Sequence, residues 1–529
     1  MERYYGFTSK LLAVLENDSQ VNSFMHHGVR VWPLLRIVLY FRLHEHVREI
    51  GMQWFEGWLS ERHPWAAFAE AVNHRFAAIL ADQPENPPCP EDRFFPADAA
   101  PTRNGRPVLV FAASPTFHTL NTPAGVIEPV IDPWIEILAE HRPVLKVEIA
   151  SDAAQNLHRR KHPSLLIVPW TMETVRQRGR DAEVEHFIQT FMAALACTVA
   201  FVNERYGFDL YHFVSQDMRT IAYSTIIRKF MFDDLLTALQ PEAILFQNYY
   251  DTDHMGLIWS AAERGIPTLE IQHGANGPFH PAYSLWTVVP DEGYHLLPTH
   301  FVVWGLSSAR NIDAHFSRRQ TRHRILVGGR PSAMTREPSP MPPEEGAVLN
   351  GIRKACRKVV LVTLPPGNLM NEGLSPSLVD AIRRAPSDWF WLIRSHPLVP
   401  EDSPTGWRGA ETRLRSAGIT NTECRAATRA PLEPVIALSD HHVSQLSSTG
   451  LNCLEDGVPT TYINPYSLSF YKDLIDARHA YFEATPDGII ASIEQGWKGL
   501  IRPNRLPVEP DGTLAHRVIG DVLNLGAHS

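Results

Sequence analysis

The first hundred residues carry aromatic-rich apolar positions at helical spacing and end in the proline-rich run QPENPPCPEDRFFPADAAP, which no helix can continue. Residues 1–104 therefore read as a helical N-terminal region and its linker. Its most apolar stretch, GVRVWPLLRIVLYFRL, is too short to span a bilayer and contains Arg36. Two readings stay open: a helix packed on the domain with Trp32 and the leucines inward, or an amphipathic segment resting on a membrane surface.

From about residue 105 the pattern changes to short β-rich apolar runs separated by amphipathic segments. RPVLVFAAS, HRPVLKVEIA, SLLIVPW, FDLYHFVSQ, AILFQNYY and PTLEIQHG predict strands, while PVIDPWIEILAEH, DAEVEHFIQTFMAALACTVAFVNERY and AYSTIIRKFMFDDLLTALQ predict helices. Such repetition means a mostly parallel sheet covered on both faces. A second series begins near residue 300 with THFVVWG, RILVGG, KVVLVTLP, WFWLIRSHP, HHVSQLS, VPTTYIN and ARHAYFE, with PSLVDAIRRAP as an intervening helix. The prediction is α/β, a GT-B-like pair of Rossmann-like domains after the helical N-terminal region. The first of these domains covers 105–299 and the second 300–490. A C-terminal extension, 491–529, is expected to pack across the domains. A chain of 529 residues exceeds what one core usually organises, in keeping with two large domains.

A net charge of −9 argues against a long polyanion as partner, because phosphate-backbone binding needs clustered Lys and Arg; no nucleic acid is expected. Five widely spaced cysteines make neither a CxxC knuckle nor a disulfide framework. The first residues lack the apolar core and cleavage site of a signal peptide. The expected location is cytoplasmic, with peripheral contact at the inner membrane as a further expectation.

Parallel α/β domains place ligands beyond the carboxyl ends of their strands, so polar residues following apolar runs are the candidates. In the first domain Asp251 and Asp253 follow AILFQNYY, and His273 stands between the strand PTLEI and Gly274. An imidazole there can contact phosphate or act as acid or base. Either aspartate can equally be a solvated loop residue or a helix cap. In the second domain Arg394, His396 and Pro397 end the strand WFWLIRSHP, where the arginine can meet a phosphate or neutralise a neighbouring acid. Ser447, Ser448 and Thr449 follow the strand HHVSQ, with Glu455 and Asn464 farther on. Hydroxyls beside unpaired backbone amides suit a phosphate. The chain has no GxGxxG, Walker loop, HExxH or GxSxG, so no motif calls for a catalytic metal or a tightly bound cofactor.

In the order IQHG, RSHP and SSTGLNCLEDGVPT, residues 105–490 resemble bacterial GT-B transferases of surface glycans, particularly those using CMP-activated acidic sugars, the sialyl- and Kdo transferases. The resemblance implies a CMP-sugar donor held by His396 and Pro397 and by Ser447, Ser448 and Thr449, with Glu455 at the ribose. It implies a glycan or glycolipid acceptor, lipopolysaccharide or capsule synthesis, and contact with polysaccharide-assembly machinery. The catalytic acid or base is expected in the first domain, among Asp251, Asp253, Glu128, His118 and His273. A CDP-alcohol phosphotransferase, a UDP-sugar enzyme and a non-catalytic glycan-assembly protein are the alternatives.

Overall fold

The computed structural model describes residues 6–55, 64–82, 93, 105–112, 120–122, 125–149, 160–214, 217–314, 316, 320–331, 340–364, 374–396, 399–465, 467–503 and 512–525. By their internal contacts the residues form two units. The first comprises Met1–Pro115, Glu128–Thr335 and Val508–Ser529, and the second Thr116–Ile127 and Arg336–Pro507.

The N-terminal region belongs to the first unit. Its helices Phe7–Asp18, Trp32–Phe55 and Pro64–Asp82 are interrupted by a hairpin of two short strands, β1 (Met25–His26) and β2 (Val29–Arg30), which the helical expectation missed. The reason is local: His27 and Gly28 both have positive φ, 46° and 83°, the signature of a two-residue type I′ turn. Of the two readings of residues 31–41, the structure shows the inward one. Trp32, Leu35 and Leu39 are fully buried. Arg36 is buried too, stacked 4.2 Å over the Trp286 ring, donating to the Ser284 and Leu285 carbonyls and paired with Glu16 at 3.4 Å.

The first unit is built on a seven-stranded parallel sheet. Its strands are β3 (Val108–Ala112), then, after the separate hairpin of β4 (Leu120–Thr122) and β5 (Gly125–Ile127), β6 (Val144–Ile149), β7 (Ser164–Ile167), β8 (Ala243–Gln247), β9 (Thr268–Ile271), β10 (His300–Val303) and β11 (Arg324–Val327). They lie in the order β11-β10-β9-β8-β3-β6-β7. Two expectations need correction. The described residues of FDLYHFVSQ form no strand; Tyr211–Val214 is a short helix. THFVVWG and RILVGG, assigned above to the second domain, continue the first sheet, because β10 pairs in parallel with β9 and β11 with β10.

Among the described residues, the helix Asp181–Tyr206 alone is long and apolar enough to cross a membrane. Val184, Phe187, Ile188, Phe191 and Leu195 recur at i, i+3 and i+4 and are buried, as in a core helix with one apolar stripe. The C-terminal helix Gly512–Leu525 returns to the first unit, where Val518, Ile519 and Val522 join the core beneath β3 and β8.

The second unit holds a six-stranded parallel sheet: β12 (Lys358–Thr363), β13 (Trp389–Arg394), β14 (Thr422–Glu423), β15 (His441–Ser444), β16 (Thr460–Tyr462) and β17 (Tyr481–Phe482). Its order is β14-β13-β12-β15-β16-β17. Numbered from its own first strand, the sheet runs 3-2-1-4-5-6, the doubly wound order that reverses between β12 and β15. The first sheet repeats this order with one added strand, reversing between β3 and β8. The chain thus contains two Rossmann-like α/β domains, the composition of a GT-B-like fold.

Candidate functional site

In a doubly wound sheet the helices on either side of the reversal leave a crevice at the strand ends, so Thr363 and Ser444, the last residues of β12 and β15, occupy the position where such sheets take ligands. A line of polar groups converges there. Thr460 Oγ1 lies 3.3 Å from His442 Nδ1, and His442 Nε2 lies 2.8 Å from Thr363 Oγ1. Thr363 Oγ1 donates to Ser444 Oγ at 3.2 Å, which also accepts from Ser447 N at 2.9 Å. Ser447 Oγ donates to Thr449 Oγ1 at 2.9 Å and accepts from Thr449 N at 3.2 Å. If Thr363 spends its proton on Ser444, it must accept from His442, which fixes the Nε2–H tautomer; burial, pushing His442 down to about 3, keeps the ring neutral.

The loop that presents these hydroxyls is fastened from behind. Ser467 Oγ donates to Gln445 O at 2.7 Å and Tyr471 OH to Leu446 O at 3.0 Å. Gly450 is required at the next turn, since a β-carbon there would stand 2.2 Å from the Tyr462 hydroxyl. On the adjoining strand end, Ser395 Oγ is buried without a hydrogen-bond partner among the described residues. Hydroxyls from β12, β13 and β15, three neighbouring strands, therefore end on one rim.

Arg394 serves this rim from the side. Its Nη1 donates to the carbonyls of Ala427 and Ala430 at 2.7 and 2.6 Å, and burial lowers its pKa to about 10 against the opposing pull of Glu433. That guanidinium braces the loop after β14 before it can meet any anion. His396 follows β13 and is half-buried; Asn464 follows β16, also half-buried; Ser448 is half-buried beside Ser447; Glu455, at the end of the helix Thr449–Glu455, is exposed. Pro397 lies outside the described residues.

In the first unit the corresponding rim lies after β8 and β9. Asp251 caps the helix Thr252–Glu263, accepting from His254 N at 2.8 Å, and holds His254 Nδ1 at 2.7 Å. Asp253 is paired with Arg228, and burial raises its pKa in spite of that cation. Both aspartates thus have structural partners. His273 is placed differently. Its Nε2 lies 3.3 Å from Tyr250 OH and its Nδ1 3.8 Å from Glu270 Oε1, a buried carboxylate that accepts from Tyr283 OH at 2.6 Å. Gln272 fixes the loop around it, donating to Gly274 O at 2.7 Å and accepting from Trp304 N at 2.8 Å. Gln247 Oε1, Asn248 Oδ1, Glu270 Oε2 and His273 Nδ1 are buried atoms without hydrogen-bond partners among the described residues, a concentration that native cores avoid.

Glu128 sits elsewhere, in a closed network. Lys146 approaches it at 3.5 Å and Asp132 at 2.7 Å, while Arg160 bridges Glu128 and Glu148 at 3.2 and 2.8 Å. Three carboxylates face two cations, and burial pushes Glu128 up to about 7, with Lys146 opposing and Asp132 and Glu148 assisting. His118 lies outside the described residues.

Thr363, His442, Ser444, Glu270, Tyr250 and Tyr283 escaped the sequence reading. The signal was present in two of them: a histidine within the apolar strand HHVSQ and a glutamate within PTLEI are polar groups that a buried strand keeps only if they are paired.

No protein-family model matches the chain, and no curated protein matches it. Among solved structures it is similar to the UDP-GlcNAc 2-epimerase of Neisseria meningitidis bound to UDP-GlcNAc, at 16 % identity over 80 % of this chain and 100 % of that one, with a TM-score of 0.45. It is similar to the UDP-GlcNAc 2-epimerase of Methanocaldococcus jannaschii at 11 % identity, 78 % and 98 % coverage and a TM-score of 0.44. The spinosyn rhamnosyltransferase SpnG matches at 15 % identity, 80 % and 96 % coverage and a TM-score of 0.38. The resemblance to CMP-sugar sialyl- and Kdo transferases is corrected by these matches. The structures matched are UDP-GlcNAc 2-epimerases and a rhamnosyltransferase rather than CMP-sugar transferases, and the CMP-sugar donor and the transfer of an acidic sugar are withdrawn. The physical reason is that a His-Pro pair and a Ser-Ser-Thr run after parallel strands are short and carry no information about the base of a nucleotide. At these scores the likeness is too distant to argue this chain's own substrate.

Proposed function

We propose that this chain is a nucleoside-diphosphate-sugar-processing enzyme, with a diphosphate site on its second unit and, on its first unit taken by itself, a group suited to general acid–base chemistry. The observation that carries the reading is the hydroxyl line Thr460–His442–Thr363–Ser444–Ser447–Thr449, which emerges where the strand order of the second sheet reverses. Fixed neutral hydroxyls offer several hydrogen bonds to phosphoryl oxygens without needing a basic surface, consistent with the net charge of −9. Ser395 and Thr449 are the proposed direct contacts; Ser447, which donates to Thr449, positions them together with Thr363, Ser444 and His442, with His396 and Asn464 at the margin.

His273 is the proposed acid or base. Its Nδ1 is buried beside Glu270, so Nε2, which shares a hydrogen bond with the Tyr250 hydroxyl, is the nitrogen proposed to exchange a proton. Asp251, Asp253 and Glu128 are not given catalytic roles, because a cap, an ion pair and a closed charge network account for them. UDP and UDP-GlcNAc are the first probes, being the ligands named for matched structures. Incubation with UDP-GlcNAc in D2O, followed by proton NMR, tests the reading. The expected result is a change in the sugar ring signals that the His273→Ala variant abolishes; a folded protein that neither binds nor alters any nucleoside-diphosphate sugar refutes it.

A further inference from the structure

We propose that His26, His27 and His186 form a binding site for a zinc-class divalent transition metal, joining the β1–β2 hairpin to the helix Asp181–Tyr206. One ligand nitrogen from each of the three imidazoles lies within 4.8 Å of the others. The rings crowd together, with centroids 4.3 Å apart for His26 and His27, 4.9 Å for His26 and His186, and 5.7 Å for His27 and His186.

His26 is the decisive member. It is 1 % exposed, wedged against Phe187 and Trp259, and neither of its ring nitrogens has a hydrogen-bond partner among the described residues. A buried imidazole with both nitrogens unpaired is costly unless something binds it. His27 and His186 are exposed, so an ion reaches the cluster from solvent and keeps a water on its open side.

Three neutral imidazoles with one open position are a donor set that zinc and its neighbours favour over magnesium or calcium. Metal–nitrogen bonds of the usual length bring tetrahedral ligand atoms to about 3.3 Å from each other, a contraction that turning the two exposed rings can supply. The nearby Lys229 ammonium is engaged by Asp233 and Glu263, each at 2.9 Å, which offsets its repulsion of an incoming cation.

The backbone supports the same conclusion. His27 holds φ at 46°, a left-handed conformation that residues other than glycine adopt at a cost, in the turn that brings its ring beside His26. Strands of only two residues make a hairpin too short to be stable alone. A metal shared with His186 would pin it to a core helix.

The test uses untagged full-length protein stripped with a chelator. Zinc titration by calorimetry and cobalt titration by visible absorption are compared for wild type, His27→Ala, His186→Ala and, as a control for the separate Glu140–His141–His516 group, His516→Ala. The exposed positions of His27 and His186 leave the fold intact, which circular dichroism of the metal-free variants verifies. The expected result is one equivalent of metal, the intense absorption of tetrahedral cobalt, and affinity at least tenfold weaker in both hairpin-site variants but unchanged in His516→Ala. Absence of binding, affinity unchanged from wild type in the His27 and His186 variants, or loss only in His516→Ala would overturn the proposal.

Discussion

Thr363 Oγ1 donates to Ser444 Oγ across 3.2 Å, joining the last residues of the two strands between which the second sheet reverses its order. The bond links the buried imidazole of His442 to the loop that carries Ser447 and Thr449. Thr363→Val keeps the shape of the side chain and leaves His442 and Ser444 without their shared partner. The loss is expected to be about 1–3 kcal/mol, the cost of an unsatisfied buried group, visible as a lower melting temperature of the second unit in calorimetry. A simultaneous several-fold loss of UDP affinity would show that the same bond orders the loop.

Replacement of His273 separates chemistry from binding. His273→Ala is expected to lower turnover of a nucleoside-diphosphate sugar by about 10²–10⁴-fold, the usual contribution of a positioned acid or base, while the dissociation constant for UDP stays within about twofold. Tyr250→Phe, which removes the hydroxyl 3.3 Å from Nε2, should shift the pH profile of turnover more than its maximum. Steady-state kinetics across pH checks both.

Glu128 gives a stability change with a definite sign. Its folded pKa, about 7, lies above the ordinary 4.5, so the folded protein holds a proton that the unfolded chain has lost between these values. The associated stability is fully present below pH 4.5 and disappears as pH rises through 7, a change of about 3 kcal/mol. Glu128→Gln leaves Asp132 and Glu148 against Lys146 and Arg160, balanced charges, and should be at least as stable as wild type at pH 8. Urea unfolding of both proteins at pH 5 and pH 8 checks the difference in slope.

The docking of the N-terminal helices rests on a buried ion pair. Arg36→Met leaves Glu16 charged and enclosed near Trp32, Thr287 and Tyr294, and is expected to destabilise the first unit by about 3–5 kcal/mol. The Arg36→Met, Glu16→Gln double variant should recover part of that loss, and thermal melting of the two variants against wild type measures it.

The repetition of strands and helices was legible along the chain because parallel strands buried on both faces form continuous apolar runs, as in VLVFA and AILFQ. FDLYHFVSQ has the same apolar content but folds around Tyr211–Val214 as a helix, since four to eight apolar residues do not separate the two states by periodicity. The placement of β10 and β11 in the first sheet depends on pairing with β9, a non-local relation that no window of sequence contains. The site divides in the same way. Ser447 and Thr449 could be read from their place after a strand, whereas Thr363 joins them only because β12 and β15, far apart in sequence, are neighbours in space. Asp251 and Asp253 stand at a strand end as a catalytic acid would, and their partners, His254 and Arg228, are visible only in the structure.

The central claim is that the second unit binds a nucleoside diphosphate at the hydroxyl rim of its strand reversal. Calorimetric titration of UDP into wild type, Ser447→Ala and the Thr363→Val variant tests it most directly. The account predicts saturable binding to the wild type that weakens about tenfold on loss of Ser447, with His273→Ala unaffected, in line with the loss of the one hydrogen bond that orients Thr449. Absence of UDP binding to the folded wild-type protein, or affinity unchanged in both rim variants, would contradict it.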